Sequence, residues 1–438
     1  MNIKIIIQTF TLFFVITVSA QESLPVSKAV SLALENNYGI KIANKSVEVA
    51  ENNTSILNSG YLPTLTGNAG ANYNIDNNES EFSSGEVTSL NGAESSNYNA
   101  SLALNYTIFD GQGRRYDYKQ LKEEYQLSEL EARETIESTM IELLSVYYTV
   151  AKLTENANAL QETLEISKNR LTRADYQFEY GQSSKLEVLN AEVDINNDSI
   201  NIINEQQELK NSKRDLNFVL GNVLQSTFTV DTLVTFILGL DKADMLEKMK
   251  RNNVSLLQLD KNILIGEYDI KSNKSSYLPT LDLIGSYGWN KNNNNAASFV
   301  SVSRNTGLTG GLSLSWDIFD GGSTITNVKN AKLNLESQQL EKEQVLIDIE
   351  RNFNNAWDDY QNKLIIYRVQ ERNILTAKNN FERTNENFKL GQVTSIEFRQ
   401  AQLNLLNTEV SRNQAKYDAK LSELKVLQLS GELLNVKF

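Results

Sequence analysis

Apolar residues fall at every second position in four stretches of this chain, and at every third or fourth position through most of the remainder. Over 62–75, Leu65, Gly67, Ala69, Ala71, Tyr73 and Ile75 alternate with Thr64, Thr66, Asn68, Asn72 and Asn74. Over 98–109, Tyr98, Ala100, Leu102, Leu104, Tyr106 and Ile108 alternate with Asn99, Ser101, Asn105 and Thr107. The same alternation returns over 278–290, with Leu281, Leu283, Tyr287 and Trp289. It returns again over 307–319, where Leu308, Leu312, Leu314, Trp316 and Ile318 oppose Thr309, Ser313, Ser315 and Asp317. Period two is the mark of a strand with two unlike faces, so the pattern predicts two strand pairs, each strand about 11 residues long. The stretch 76–97 reads as a polar, acidic loop inside the first pair, and an Asn-rich loop separates the second.

The helical period governs what lies between. Residues 24–59 read as a helix with Ser27 as its N-cap, and a second copy spans roughly 241–276. From Arg114 to Phe178 there is neither proline nor glycine. At 1.5 Å per residue this predicts a helix of about 100 Å, too long to stand without a coiled-coil partner. Its later counterpart carries a sharper stripe, Phe353, Trp357, Tyr360, Leu364 and Tyr367. Each long helix ends in a similar turn, Phe178-Glu-Tyr-Gly-Gln182 and Phe388-Lys-Leu-Gly-Gln392. There Gly181 and Gly391 supply the positive φ of a sharp reversal. Returning helices follow, with Ile396, Leu403, Val410, Tyr417 and Leu424 every seven residues. In the first half, Leu186, Leu189, Val193, Ile200 and Ile203 hold the a and d positions.

These correspondences make the chain an internal duplication. Tyr61-Leu-Pro-Thr-Leu65 recurs unchanged 216 positions later as Tyr277-Leu-Pro-Thr-Leu281, and Ile108-Phe-Asp-Gly111 recurs 210 positions later as Ile318-Phe-Asp-Gly321. Two of the three prolines, Pro63 and Pro279, lie in the first motif. Proline pushes the residue before it into extended geometry, so each marks a helix ending and a strand beginning. The repeats are assigned to 21–230 and 231–438, each a helix, two strands, a long helix, a tip and a returning helix.

Composition narrows the chemistry. The 438 residues contain no His and no Cys and carry a net charge of −13. The acidic balance argues against nucleic acid as a partner. Without His or Cys, the usual general base, thiolate metal sites and disulfides are all excluded. An enzyme would have to work through carboxylates alone. Lys4, the apolar run 5–18 and Val18-Ser19-Ala20 have the form of a secretory signal peptide, residues 1–20, cleaved after Ala20. No later stretch approaches twenty apolar residues, so a mature chain entering a membrane would do so as strands. On alternation alone, a membrane barrel with a wet lumen and a half-solvated antiparallel sheet both fit. Four strands cannot close a channel, and an open edge in lipid is forbidden, so a barrel would need strands pooled from several copies.

Strand pairs, long helices and glycine-marked tips in this duplicated order resemble the TolC family of outer-membrane efflux proteins, over essentially the whole mature chain. The tip pattern is Phe178, Gly181, Glu187 and Leu189, repeated as Phe388, Gly391, Glu397 and Phe398. The resemblance implies an all-α coiled-coil tunnel joined to a membrane β-barrel, in which three subunits give four strands each to a twelve-stranded barrel. It implies an outer-membrane exit duct of an efflux pump or a type I secretion system, with the helical tunnel in the periplasm. The expected partners are two further copies of the chain, a periplasmic adaptor protein, an inner-membrane pump reached through it, and outer-membrane lipid. No cofactor, metal site or catalytic residue is expected. Gly181, Gln182, Gly391 and Gln392 would mark the adaptor-contacting tips, and Glu187 and Glu397 would narrow the periplasmic end. The chain departs from the family pattern at Asn190 and Gln400, where a second acid can stand, and at Val393, where some members carry a locking Arg. A purely structural periplasmic coiled coil would share the heptads, and a carboxylate-only secreted enzyme would share the leader. The first would not need four two-faced strands grouped in pairs, and the second would need a compact pocket where the repeat plan provides rods.

Overall fold

The computed structural model describes residues 22–224, 228–296 and 298–436, so the predicted signal peptide lies outside the described residues. The chain opens with β1 (Glu22–Leu24), α1 (Val26–Asn36) and α2 (Tyr38–Asn53), followed by β2 (Thr64–Glu81) and β3 (Val87–Asp110). Helices α3 (Gly113–Glu179) and α4 (Lys185–Val219) precede β4 (Phe228–Val230). The second half gives α5 (Lys242–Asn252), α6 (Val254–Ser275), β5 (Thr280–Asn293), β6 (Val302–Ser315), α7 (Ser323–Lys389) and α8 (Ser395–Leu429). The two long helices have 67 residues each and the two returning helices 35 each.

The predicted first helix is two helices in each half, and the repeated Asn-Asn pair explains why. The Asn253 side chain accepts from the amides of Ser255 and Leu256, capping α6 while α5 ends. The Asn37 side-chain Oδ1 likewise accepts from Ile40 N at 3.2 Å, at the start of α2. Asn competes well for backbone donors, so it starts a new helix where the period alone reads as continuous. Ser27 is not the first cap either: Pro25 occupies that position, with extended φ and ψ.

Residues 42–135 and 250–350 form one compact unit, holding a four-stranded antiparallel sheet in the order β2-β3-β5-β6. Pro63 and Pro279 sit immediately before the first residues of β2 and β5. The first hairpin is longer than its apolar signal. Its strands have 18 and 24 residues, and Glu81 pairs with Val87, so most of the predicted loop is paired strand. Pairing with β5 reaches only Ser96↔Asn293, which leaves the far end of this hairpin two-stranded. The pairing is backbone-made and needs no apolar side chains, so an Asn-, Ser- and Glu-rich run carried no period to read. Strand β6 starts earlier than the pattern suggests and ends at Ser315, leaving Trp316 and Ile318 beyond it. The Trp316 indole nitrogen donates to Tyr277 O at 3.1 Å, which ties the strand exit to the opposite junction.

The register sorts the two faces across all four strands. Asn68, Ser101 and Gly288 share a row and a face, as do Thr107, Asp282 and Ser313. On the other face, Leu65, Leu104, Gly285 and Gly310 form one row and Leu102, Tyr287 and Leu308 another. One face is therefore mainly Asn, Ser, Thr and Gly, with Asp282, and the other mainly Leu, Ala, Tyr, Trp and Gly, with Lys291 and Arg304 near the hairpin end. That is the alternation of a membrane strand above a polar lumen.

The Phe-Asp-Gly motif is the joint between strand and long helix. Asp110 accepts from Arg114 N and pairs with its guanidinium, both at 2.9 Å, and Arg114 also donates to Gly60 O at 2.8 Å. Asp320 caps α7 in the same way, accepting from Thr324 Oγ1 at 2.5 Å and from Thr324 N at 2.7 Å, and these hydrogen bonds, the hydroxyl's first, hold its carboxyl below the usual range. Gly111, at φ 68°, lies so close to α6 that an added Cβ would stand 2.4 Å from Ser275 O. Only glycine fits this turn.

Residues 22–41, 136–224, 228–249 and 351–436 make up the described part of the other unit. Its β1 and β4 pair in parallel, and the buried Tyr147 bridges them: the hydroxyl donates to Leu24 O at 2.7 Å and accepts from Asp231 N at 3.0 Å. Phe353, Trp357 and Tyr360, the sharp stripe of α7, are buried here. The segment joining the repeats is strapped to α8. Lys416 donates to Thr232 O at 3.1 Å, Lys420 to Thr235 O at 2.8 Å, and Glu423 accepts from Ile237 N at 2.7 Å.

The heptad expectation holds only in part in this unit: Tyr417 and Leu424 on α8 are buried, but Ile396 is exposed. Leu186, Leu189, Val193, Ile200 and Ile203 on α4 were assigned to a coiled-coil seam, yet they are 48–63% exposed. The face that α4 buries within the chain carries Val188, Ala191, Asp198, Ile202 and Leu216. Helix α4 thus has two apolar stripes. Heptad counting selects the more regular one, and that one is left largely exposed in a single copy.

Candidate functional site

Both tips are built from backbone hydrogen bonds closed by glycine. At the first, Gln182 N donates to Gln177 O at 2.7 Å and Gly181 N to Phe178 O at 2.9 Å. At the second, Gln392 N donates to Asn387 O at 2.9 Å and Gly391 N to Phe388 O at 3.1 Å. This pair of bonds satisfies the last carbonyls of a helix and requires a left-handed residue. The φ values are 73° and 74°, and open space surrounds the position of a Cβ at both. The demand for glycine is therefore purely conformational. Gln182 and Gln392 are exposed.

The two predicted acids are placed differently. Glu397 sits in the first turn of α8 and closes a capping box. Its Oε2 accepts from Thr394 N and from Thr394 Oγ1, both at 2.8 Å, while Thr394 Oγ1 accepts from Glu397 N at 3.2 Å. The backbone amide and then the hydroxyl of Thr394 hold this exposed carboxyl below its ordinary range. Glu187 occupies the matching turn of α4, where its charge suits the positive helix end. The Ser184 side chain makes no cap bond there. Glu187 is half-buried in a groove of about 340 Å³ shared with Arg170, Asp194 and Arg399. Asn190 and Gln400 line the same groove.

Under the second tip lies an aromatic floor. Phe388 stacks on Phe398 at 4.5 Å, Phe381 meets Phe398 at 5.6 Å, and the Arg173 guanidinium lies 5.1 Å from the Phe388 ring while donating to Lys389 O at 2.8 Å. This explains the Phe-x-x-Gly pattern of the second half, in which the outgoing helix delivers Phe388 onto the returning helix. Phe178 and Leu189 at the first tip remain exposed.

Sequence reasoning missed a buried charge cluster one turn further along. Arg399 grips Asp198 in fork geometry, at 2.8 and 2.7 Å. Asp198 is 1% exposed and also accepts from Ser167 Oγ at 2.6 Å. Gln402 donates to Thr163 O at 2.9 Å and to Ser167 Oγ at 3.1 Å. Arg170 pairs with Asp194, which lies 3.6 Å from Arg399 Nε. The cluster joins α8 to both α3 and α4 through charge-assisted bonds. The four-residue spacing of Asp194 and Asp198 was visible in the sequence, but nothing there says which helix supplies the arginine.

Among the described residues, no group of three acidic side chains is arranged to hold a metal ion, and no helix is long and apolar enough to cross a membrane. A two-faced four-stranded sheet, two 67-residue helices and two closed, glycine-marked tips are the elements of an outer-membrane channel subunit. The profile of the outer membrane efflux protein family matches residues 29–222 and 245–432, and the chain belongs to that family. It is 24% identical over 305 residues to the outer membrane protein TolC of Vibrio cholerae, covering 68% of this chain and 69% of that one. It is 20% identical over 426 residues to the outer membrane efflux protein BepC of Brucella suis, covering 96% and 88%. In fold it is similar to the CmeC outer membrane channel of Campylobacter jejuni, with a TM-score of 0.78 at 20% identity over 93% of this chain and 86% of that one. The protein is an outer-membrane efflux or secretion duct.

Proposed function

We propose that three copies assemble into a passive, non-catalytic duct, which takes its cargo from an inner-membrane pump through a periplasmic adaptor that grips the tips at Gly181, Gln182, Gly391 and Gln392. The observation that carries the trimer is the sheet itself. Strands β2 and β6 are its edges, and an edge facing lipid leaves backbone donors and acceptors unpaired at several kcal/mol each. Pairing β6 of one copy with β2 of the next removes every edge. The exposed second stripe of α4 supports the same assembly, since it offers a partner helix a regular apolar seam. The chain extracted in detergent should size as a trimer from the outer membrane; a monomer there would overturn this reading.

At the tips, Gly391→Val should leave the trimer intact while reducing adaptor capture and export, because a β-branched residue resists positive φ. Unchanged export at normal expression would make Gly391 an ordinary loop residue. Glu397 and Glu187 are proposed as the acidic constriction, three copies of each around the axis. Glu397→Gln separates charge from structure, since glutamine can still close the capping box. Single-channel recording should show weaker cation selectivity and weaker block by a trivalent cation in that variant, with a smaller change for Glu187→Gln. Because hydrogen bonds depress the Glu397 carboxyl, the charge is present above its lowered pKa and lost as pH falls through it. Selectivity should therefore persist into mild acid and fade only below the ordinary glutamate range. Selectivity unmoved by Glu397→Gln would put this carboxylate on the outer surface.

A further inference from the structure

The four strands contain just two basic residues, Lys291 on β5 and Arg304 on β6. The register sets them directly opposite one another, on the apolar face. Like charges in that arrangement repel and cost stability, so a pair kept there calls for an anion. The chain supplies none: neither side chain has a carboxylate within ion-pair distance among the described residues. The Lys291 ammonium lies 6.0 Å from the centre of the Tyr98 ring, in the same row.

Depth identifies the anion. Leu281↔Leu314 is the apolar row beside the helix junctions, and Lys291↔Arg304 is the corresponding row near the far, hairpin end. Ten residues separate them along β5. That is roughly 33 Å along the strand, or about 25 Å along the axis of a barrel whose strands tilt by about 40°, the height of a membrane barrel's apolar band. Tyr287 and Trp289 occupy the two rows just below on the same face, as aromatics do at a membrane interface. The two cations thus stand at the level of the outer headgroups and face outward.

We propose that Lys291 and Arg304 form a clamp for the phosphate of an outer-leaflet lipid headgroup, holding a phosphorylated glycolipid against β5 and β6 of each subunit. Arg304 supplies a planar fork and Lys291 a mobile point charge, and together they fit a phosphate seated between adjacent strands. The proposal rests on the sheet forming part of a closed barrel with this face to lipid, and not on conduction.

The test is the thermal dissociation of the purified full-length trimer in detergent, with added lipid A, dephosphorylated lipid A or inorganic phosphate. Lipid A should raise the dissociation temperature of the wild type, and Lys291→Gln/Arg304→Gln should need about tenfold or more lipid A for the same rise. Should the double variant fail to assemble, Lys291→Gln alone should show a partial loss, and Lys291→Arg should retain the response. Equal protection by dephosphorylated lipid A would overturn phosphate recognition, and protection by inorganic phosphate would reduce the pair to a free-anion site. A wild type that ignores lipid A while Glu79→Gln or Glu81→Gln responds to it would mean that a neighbouring copy's hairpin supplies the counter-charge instead, and would overturn the lipid clamp. A wild type that never sizes as a trimer would strike at the barrel reading, a separate failure.

Discussion

Asp198→Asn should be the most damaging single change in the helical region, destabilising it by about 3–5 kcal/mol. The substitution leaves the Arg399 guanidinium in a buried site with its fork partner gone, and Asp194, at 3.6 Å from Nε, covers only part of the charge. Arg399→Met should cost a comparable amount by stranding Asp198, which also accepts from Ser167. The pair Asp198→Leu/Arg399→Met should regain much of the loss, because a buried ion pair exchanged whole for apolar side chains is often close to neutral. Hydrogen exchange of the α8 amides near 399–406 would read the effect locally, and the double-mutant cycle would isolate the coupling. Additive single losses would mean that the two side chains do not depend on each other.

The second large effect belongs to the sheet, and it should vary with depth. Leu104 lies in the row of Gly285 and Gly310, about midway between the junction row and the row of the two basic residues. Leu104→Arg should cost about 2–4 kcal/mol of insertion stability, the penalty for a cation at the bilayer midplane. Leu314 pairs with Leu281 beside the junction, so Leu314→Arg should cost only about 0–1 kcal/mol. Ser101→Arg, from the same strand as Leu104 but the opposite face, should fold and insert almost normally. Denaturant unfolding in lipid vesicles would measure all three. Equal damage at Ser101 and Leu104 would remove the distinction between a lipid face and a lumen face.

Much of this was legible because the physics behind it is local. Period two at Leu102, Leu104 and Tyr106 is a property of one strand, and Gly181 and Gly391 announce their turns by needing a conformation other residues avoid. The duplication made these signals more secure, since each had to appear twice. What stayed hidden depends on partners. The Arg399–Asp198 fork needs three helices to be in place before it exists. The heptads of α4 led to the stripe at Leu186, Leu189 and Val193, whereas the face buried within one copy is less regular and includes an aspartate. The caps at Asn37 and Asn253 leave no mark in the pattern, because a break between two good helices changes no hydrophobic period. The outer hairpin was read as a loop because its side chains are polar on both faces. At the tip, Glu397 was singled out for its charge, and the structure adds the structural work it does on Thr394.

The matched helix lengths restrict where this chain can change size. One residue inserted into α3 before Ser167 would turn the rest of that helix by about 100° and advance it by about 1.5 Å relative to the helices it packs on. Arg170 would then face away from Asp194, and Ser167 from Asp198 and Gln402. Two full turns would restore the angle but displace the tip by about 10 Å relative to its counterpart at the end of α7. Deletions face the same arithmetic, so the two 67-residue helices can lengthen or shorten only together and in whole turns. The turn at 82–86 is under no such constraint. Evolutionary drift in length, and any peptide inserted to label the protein on living cells, should collect there, while the long helices keep their residue count even where their sequences diverge.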